Sequence, residues 1–140
     1  MPHFSDSDVA DALDWPSLVE ALRDGFRRGA TSPARPHYTV PVPGERDATL
    51  LLMPAWSPGR YIGLKTVTVF PDNGMRGLPA VGAHYLLIDA RTGAIAATFD
   101  GGELTARRTA AASALASTFL SRPASRSLLV VGTGRLAPKL

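Results

Sequence analysis

The start of the chain has the hydrophobic spacing of two amphipathic helices. Residues 5–13 predict a short helix whose N-cap is Ser5 or Asp6. A second helix begins after Asp14, a good N-cap, and ends at Gly29; its apolar residues recur at every fourth position: Leu18, Leu22 and Phe26. We expect the apolar face of this second helix to lie on a sheet.

From Thr31 onward the spacing changes to that of β-strands. Five stretches alternate apolar and polar residues or run apolar for a few positions, as strands do: 38–42, 49–53, 61–70, 85–89 and 95–99. A short turn containing Gly93 joins the last two, which predicts an antiparallel hairpin. The segment 71–79 is dense in Gly, Pro, Asn and Asp and is long enough to line a site.

Lys65 is an unusual residue for its predicted strand. It shares strand parity with Val67 and Val69, so if those valines face the core, the ammonium group does too. A buried lysine needs a partner or a lowered pKa, and both are typical of active sites. The alternative is a lysine that extends to solvent from a strand end beside Gly63.

The strongest helical pattern covers residues 103–120, which are rich in alanine. One face of this helix is formed by Leu104, Arg108, Ala111, Leu115 and Phe119. Arg108 therefore falls on an apolar stripe, whereas Arg107 points about 100° away from it. An arginine on a buried stripe usually binds a carboxylate or phosphate, and an internal ion pair is the alternative.

The last predicted element is the segment 127–137, SLLVVGTGRLA. Its apolar run, 128–131, is typical of a buried parallel strand. Gly132, Gly134 and Ala137 fit the dinucleotide fingerprint G-x-G-x-x-G/A, in which the glycines permit a tight turn and a close approach to a pyrophosphate. A plain connection from a strand to a helix is the alternative, and the helix expected after the loop hardly exists before Leu140.

Composition narrows the classes of protein to which this chain can belong. A chain of 140 residues with 45% hydrophobic content and no cysteine can build one domain with a substantial core, without disulfides or thiolate metal sites. We expect an intracellular, cytoplasmic protein, because no signal peptide or membrane-length apolar run is present. The net charge of +3 comes from dispersed arginines, which argues against nucleic-acid binding. The histidines are scattered and predict no metal site: His3, His37 and His84.

Several motifs together resemble the ornithine cyclodeaminase/μ-crystallin family. They are Arg35 in SPARPHYTVPV, Met53-Pro54-Ala55, Lys65 in GLKTVTVFPDN, the run from GLPAVGAHYLL to TARRTAAASALAS, and VVGTGRLA. Their order and spacing are familiar over nearly all of the chain. The resemblance favours the active-site interpretation of both Lys65 and Arg108.

The resemblance implies an α/β fold with two domains. Residues 1–125 would form an α+β domain for substrate binding and dimerisation, built on a curved mixed sheet. Residues 126–140 would be the first strand and glycine loop of a Rossmann domain that is cut off. We expect the chain to be the N-terminal part of a longer polypeptide, or a truncated product that could not hold the cofactor alone. The catalytic aspartate and the residue that separates NAD from NADP would lie beyond Leu140.

The resemblance also implies roles for individual residues. Arg35 and Arg108 would hold the α-carboxylate of an amino or imino acid, with Lys65 against the reacting carbon and nitrogen. A nicotinamide cofactor, NAD or NADP, would be contacted by Arg108, Thr109, Gly132, Gly134, Arg135 and Leu136. Ala80 stands where some cyclodeaminases have a cofactor-binding threonine, which is a departure from their pattern.

The leading functional prediction is an NAD(P)H-dependent reductase of a cyclic imino acid such as Δ1-pyrroline-2-carboxylate, giving L-proline in a homodimeric enzyme. The first alternative is ornithine cyclodeaminase, which forms proline and ammonia while its bound NAD is recycled. The second alternative is a non-catalytic binding or dimerisation module.

Overall fold

A computed structural model describes residues 1–140 as a six-stranded sheet with three α-helices. The elements in chain order are β1 (His3–Phe4), α1 (Asp6–Ala12), α2 (Trp15–Arg28), β2 (His37–Val40), β3 (Ala48–Ser57), β4 (Tyr61–Val69), β5 (Val81–Asp89), β6 (Ile95–Asp100) and α3 (Gly101–Leu120). Two short 3-10 turns cover Pro71–Arg76 and Ala137–Lys139. None of the helices combines the length and the apolar character that a membrane span requires.

The sheet has the strand order β1-β6-β5-β4-β3-β2. Strands β2 to β6 pair antiparallel with their neighbours, and β1 pairs parallel with β6, so the sheet is mixed. It is curved but does not close, because β1 and β2 remain at opposite edges. The predicted hairpin of β5 and β6 is confirmed, and Gly93 in its turn has a φ of 74°, which favours glycine.

The caps of the first two helices are as predicted. Ser5 caps α1 through a capping box with Asp8, and the Asp14 side chain accepts a hydrogen bond of 3.0 Å from the Ser17 N–H at the start of α2. Gly29 ends α2 with a φ of 71°. These residues fix the helix boundaries from sequence-local interactions alone.

The packing of α2 differs from the prediction. Helix α2 lies chiefly on α3 rather than directly on the sheet. Leu18 is buried, whereas Phe26 is 72% exposed. Helix α2 does not reach the sheet because α3 covers it. The buried small residues of α3 let α2 approach closely: Ala106, Ala110 and Ala111.

Helix α3 lies on one face of the sheet, against β5 and β6, and α1 packs on α3 from the side of β1. Gly101, the first residue of α3, is required by this contact, because a Cβ there would lie 2.7 Å from the backbone of Ala83. The opposite face of the sheet is covered by no helix of the chain. By register it carries Leu50, Leu52, Leu64, Leu86 and Ile88.

The buried parallel strand predicted for 128–131 does not form. Leu128, Leu129 and Val131 are 74%, 86% and 90% exposed, and no backbone–backbone hydrogen bond involves residues 127–133. A strand requires a neighbouring strand to satisfy its N–H and C=O groups, and the edges of this sheet lie elsewhere. Leucine and valine alone therefore do not make this segment a strand.

Candidate functional site

Lys65 lies in the middle of β4, on the face that α3 covers. Its direct cross-strand neighbours are Met53 in β3 and Tyr85 in β5, and Val67 on the same face is buried. The predicted inward direction is therefore confirmed. The alternative of a lysine at a strand end does not hold, because paired residues extend on both sides of Lys65.

The positive charges of two arginines act on Lys65 at this position. The pKa of Lys65 lies below its ordinary value, first because of burial and then because of the positive charges of Arg108 and Arg35. Arg108 comes from α3, and Arg35 comes from the segment just before β2. The structure thus brings the predicted substrate-binding residues together from three separate parts of the chain.

No acidic side chain of the protein neutralises this cluster. The ion pairs of the structure involve other residues, and neither Arg35, Lys65 nor Arg108 takes part in one. The alternative of an internal ion pair for Arg108 is therefore wrong. A half-buried lysine with two arginines acting on it and no acidic partner is an arrangement suited to an anion from outside the chain.

The two neighbouring arginines of α3 have the opposite burial from the one that the helical pattern predicts. Arg108 is exposed, whereas the side chain of Arg107 is only 17% exposed. Arg107 donates to Glu103 and to the backbone carbonyl of Leu13, both at 2.7 Å, and its guanidinium lies over the ring of Trp15. The prediction of a buried stripe through Arg108 was wrong because α1 and α2 cover the Arg107 side of α3.

Arg108 instead borders a cavity that it shares with Lys65. The cavity has a volume of about 400 Å³, and its remaining wall is largely apolar: Leu22, Tyr85, Leu87, Phe99 and Leu104. A cationic end and an apolar wall suit a small organic anion with a hydrocarbon part.

A second cavity connects Lys65 with the glycine loop. It has a volume of about 250 Å³, and Arg135 and Leu136 line it together with Lys65. The guanidinium of Arg135 lies over Gly102, where a Cβ would be 2.7 Å from its Nη2 atom. Two of the residues predicted to contact the cofactor therefore lie beside the predicted substrate residue.

The other predicted cofactor residues, Gly132, Gly134 and Thr109, differ in how open they are to a ligand. Gly132 has a φ of 110°, and a Cβ at Gly132 or Gly134 would meet nothing within 4 Å, so the loop leaves space for a ligand to approach its backbone. The Thr109 hydroxyl donates to the carbonyl of Thr105 at 2.7 Å and is therefore directed at its own helix. The backbone of the glycine loop is thus open to a ligand, whereas the Thr109 hydroxyl is occupied within its own helix.

The sequence matches the family described as "Ornithine cyclodeaminase/mu-crystallin family" over residues 4–139. The chain belongs to this family. The resemblance inferred from the motifs is confirmed, and it extends over both cavities and the glycine loop.

Individual relatives agree with this assignment. The chain is 47% identical to an uncharacterised protein of Schizosaccharomyces pombe, over 94% of the chain and 41% of that protein. It is 37% identical to Delta(1)-pyrroline-2-carboxylate reductase of Paracoccus denitrificans, over 99% of the chain and 43% of the reductase. The solved structure of the Thermococcus litoralis reductase of that name, in complex with NADH and L-proline, has a TM-score of 0.74 and 31% identity, over 87% of the chain and 38% of the reductase. The chain spans about two fifths of the length of these relatives.

Sequence reasoning missed the network that attaches the C-terminal turn, Ala137–Lys139, to α3. Glu103 accepts hydrogen bonds from Arg107 at 2.7 Å and from Lys139 at 2.5 Å, and its side chain is only 13% exposed. The Lys139 hydrogen bond, with a smaller contribution from Arg107, lowers the pKa of Glu103 against the opposing effect of burial. The four-residue spacing of Glu103 and Arg107 could have predicted their ion pair, because such residues are neighbours on a helix. Nothing in the local sequence predicts the hydrogen bond from Lys139.

A second missed cluster surrounds Asp100. Its carboxylate lies 3.5 Å from His3 Nε2 and 3.7 Å from His84 Nδ1. Although Asp100 precedes α3, its side chain does not cap the helix; Asp6 accepts the Glu103 N–H at 2.6 Å instead. The histidines that the sequence presents as scattered are therefore partly brought together by the pairing of β1 with β6.

Proposed function

We propose that the intact protein is an NAD(P)H-dependent reductase of a cyclic imino acid, converting Δ1-pyrroline-2-carboxylate to L-proline. The observation that carries this proposal is that Arg35 and Arg108 act on Lys65 without an acidic partner, and that Lys65 and Arg108 share a cavity with an apolar wall. A planar ring bearing a carboxylate matches both features. The names of the Paracoccus and Thermococcus relatives support the same substrate class.

The chain's own residues supply orientation and proton chemistry. Arg35 and Arg108 hold the carboxylate, which fixes the imine carbon relative to Lys65. Lys65 hydrogen-bonds to the imine nitrogen or transfers its proton, and the lowered pKa of this lysine makes the neutral form more accessible than in an ordinary lysine. Reduction of the C=N bond requires one hydride at carbon and one proton at nitrogen, and the chain's contribution is the proton and the position.

Residues 126–140 are proposed as the start of the dinucleotide-binding domain. The open glycines at 132 and 134 and the side chains of Arg135 and Leu136 would hold the pyrophosphate of NAD or NADP. When bound, the nicotinamide cofactor supplies the hydride. Arg108 and Thr109 would contact its nicotinamide end, and Thr109 would first have to release the Thr105 carbonyl.

A homodimer is proposed on the uncovered face of the sheet. Five apolar residues there, Leu50, Leu52, Leu64, Leu86 and Ile88, alternate with residues that face α3. A second copy of the same face would bury them, in agreement with the dimerisation role that the family resemblance implies. The cytoplasmic location stays a prediction.

Ornithine cyclodeamination is the alternative activity, because the same cations fit the α-carboxylate of ornithine. A non-catalytic binding or dimerisation module is the second alternative. The three functions differ in their products: the reductase consumes NAD(P)H in proportion to the imine, the cyclodeaminase releases ammonia from ornithine without net change in NAD(P)H, and the module does neither.

The deciding experiment assays the intact protein, expressed from its own gene, with both substrates. We expect imine-dependent oxidation of NADH or NADPH with formation of proline, and loss of this activity in Lys65→Ala. Ammonia release from ornithine without consumption of NAD(P)H would favour the alternative enzyme. A stable dimer with neither activity would contradict both enzymatic functions.

A further inference from the structure

Tyr85 is placed at the candidate site by the pairing of β4 with β5. It is the direct cross-strand neighbour of Lys65, and both side chains line the 400 Å³ cavity that Arg108 borders. In an antiparallel pair, directly opposed residues project to the same face of the sheet. Tyr85 therefore faces the same space as Lys65 and Arg108, although no chemical motif in the sequence singles it out.

The phenol ring reaches across β4 toward Lys65. A Cβ built on Gly63 would collide with the Tyr85 hydroxyl and would lie 2.7 Å from its Cζ atom. Gly63 lies two residues before Lys65 on the same face of β4, so the hydroxyl occupies the side-chain position next to the lysine. Glycine at position 63 is what leaves room for the phenol there.

The Tyr85 hydroxyl has unused hydrogen-bonding capacity. Burial alone raises the pKa of this phenol, which is therefore neutral at physiological pH, and no hydrogen bond to the protein contributes to the shift. The structure leaves no fully buried side-chain polar atom without a partner, so the unpaired Tyr85 hydroxyl retains some exposure to solvent. A neutral phenol both donates and accepts a hydrogen bond.

The other uncharged side chains around the cavity have no free hydrogen-bonding group. Leu87, Phe99 and Leu104 offer only apolar surface, and the Thr105 hydroxyl is bonded to the carbonyl of Gly101. The ring of Tyr85 packs edge-on against Phe99, with centroids 6.1 Å apart, which holds its orientation. A neutral, oriented and unpaired hydroxyl beside the cations suits recognition of a substrate more than stabilisation of the fold.

We propose that Tyr85 determines substrate specificity: its hydroxyl hydrogen-bonds to the polar end of the cyclic imino acid beside Lys65, and its ring closes the apolar wall against the methylene groups. This inference rests on the proposed reductase function and adds a substrate contact to it. It also assigns a reason for glycine at position 63, since any side chain there would displace the phenol.

Tyr85→Phe in the intact protein tests the hydroxyl while keeping the ring. We expect KM for Δ1-pyrroline-2-carboxylate to rise and kcat/KM to fall roughly 3- to 10-fold, the effect of one neutral hydrogen bond. The Kd for NADH and the thermal midpoint should stay unchanged. Tyr61→Phe is the matched control, because Tyr61 lies on the neighbouring strand β4, is half exposed and does not line the cavity.

Tyr85→Leu tests the ring and is the second variant should the first fold poorly. It enlarges the cavity, so the ratio of kcat/KM for the six-membered imino acid over the five-membered one should rise. Unchanged KM in Tyr85→Phe together with an unchanged ratio in Tyr85→Leu overturns the role of Tyr85 while leaving the reductase intact. Absence of turnover of either imino acid by the wild type overturns the reductase function, and this inference with it.

Discussion

Lys65 and Arg108 face one cavity from opposite layers of the fold, Lys65 from the middle of β4 and Arg108 from α3, and neither has an acidic partner. A strand and a helix far apart in sequence thus bring two like charges together. Such an arrangement is unfavourable for folding on its own. The proposed substrate would account for it, with its carboxylate bound by Arg108 and its imine nitrogen beside Lys65.

Replacing Arg108 tests the binding of this carboxylate. Arg108→Ala should raise KM for the imino acid roughly 10- to 100-fold, because a hydrogen-bonded pair with a charged partner is lost. Arg108→Lys should recover little, since an ammonium does not bind a carboxylate through two parallel bonds. Steady-state kinetics measure both, with Arg122→Ala as the control on the exposed chain after α3. Equal KM in the Arg108 and Arg122 variants would remove Arg108 from the site.

Replacing the two lysines of the chain should have opposite effects on stability. The pKa of Lys65 is lower in the folded protein than its ordinary 10.5, so its charge opposes folding at neutral pH, and this opposition disappears as pH rises toward 10.5. Lys65→Met should raise the thermal midpoint at pH 7, by an amount that shrinks toward pH 10.5. Lys139→Met should lower the midpoint, because Glu103 loses a hydrogen bond. Thermal unfolding between pH 7 and pH 10 measures both, and a destabilised Lys65→Met is the contrary result.

Glu103 should make stability sensitive to acid. Its pKa is held below the ordinary 4.5, chiefly by the Lys139 hydrogen bond, so its contribution is complete above that pH and is lost as pH falls through the lowered pKa. Glu103→Gln should cost about 1–3 kcal/mol of unfolding free energy at pH 7, since two partly buried cations lose their anion. Urea denaturation at pH 7 and at acidic pH measures this difference. Glu20→Gln, in an exposed pair with Arg23, should change stability by less than about 0.5 kcal/mol.

Two glycines of the helices should respond oppositely to alanine. Gly101→Ala places a Cβ 2.7 Å from the Ala83 backbone and should cost about 1–3 kcal/mol, because α3 must move from the sheet. Gly25→Ala meets nothing within 4 Å in the interior of α2 and should stabilise the protein by up to about 1 kcal/mol. Urea midpoints of the two variants check this, and stabilisation by Gly101→Ala would contradict the close packing of α3.

Much of the fold is predictable from local patterns. The caps at Ser5, Asp14 and Gly29 and the hairpin turn at Gly93 each act within a few residues, and the boundaries of α1 and α2 and the turn between β5 and β6 follow from them. The strands β3 and β5 extend beyond the predicted 49–53 and 85–89, because their length is set by pairing with β4. Strand β1 has only two residues, His3 and Phe4, and depends on pairing with β6, so no local pattern indicates it.

The part of the site that is predictable from sequence is the part that depends on the alternation of side chains along a strand. Parity alone places Lys65 on the covered face. Which of Arg107 and Arg108 is buried depends on where α1 and α2 pack against α3, and the position of Tyr85 depends on the register of β4 with β5. The exposed state of residues 128–131 depends on the absence of a neighbouring strand in the described chain. Tertiary relationships of this kind are not encoded in the periodicity of a single segment.

A crystal structure of the intact protein with NADH and L-proline tests the central claim most directly. It should show the proline carboxylate within hydrogen-bonding distance of both Arg35 and Arg108, with the ring nitrogen beside Lys65. A carboxylate bound elsewhere, with the three cations turned toward solvent or toward acidic side chains, would contradict the account.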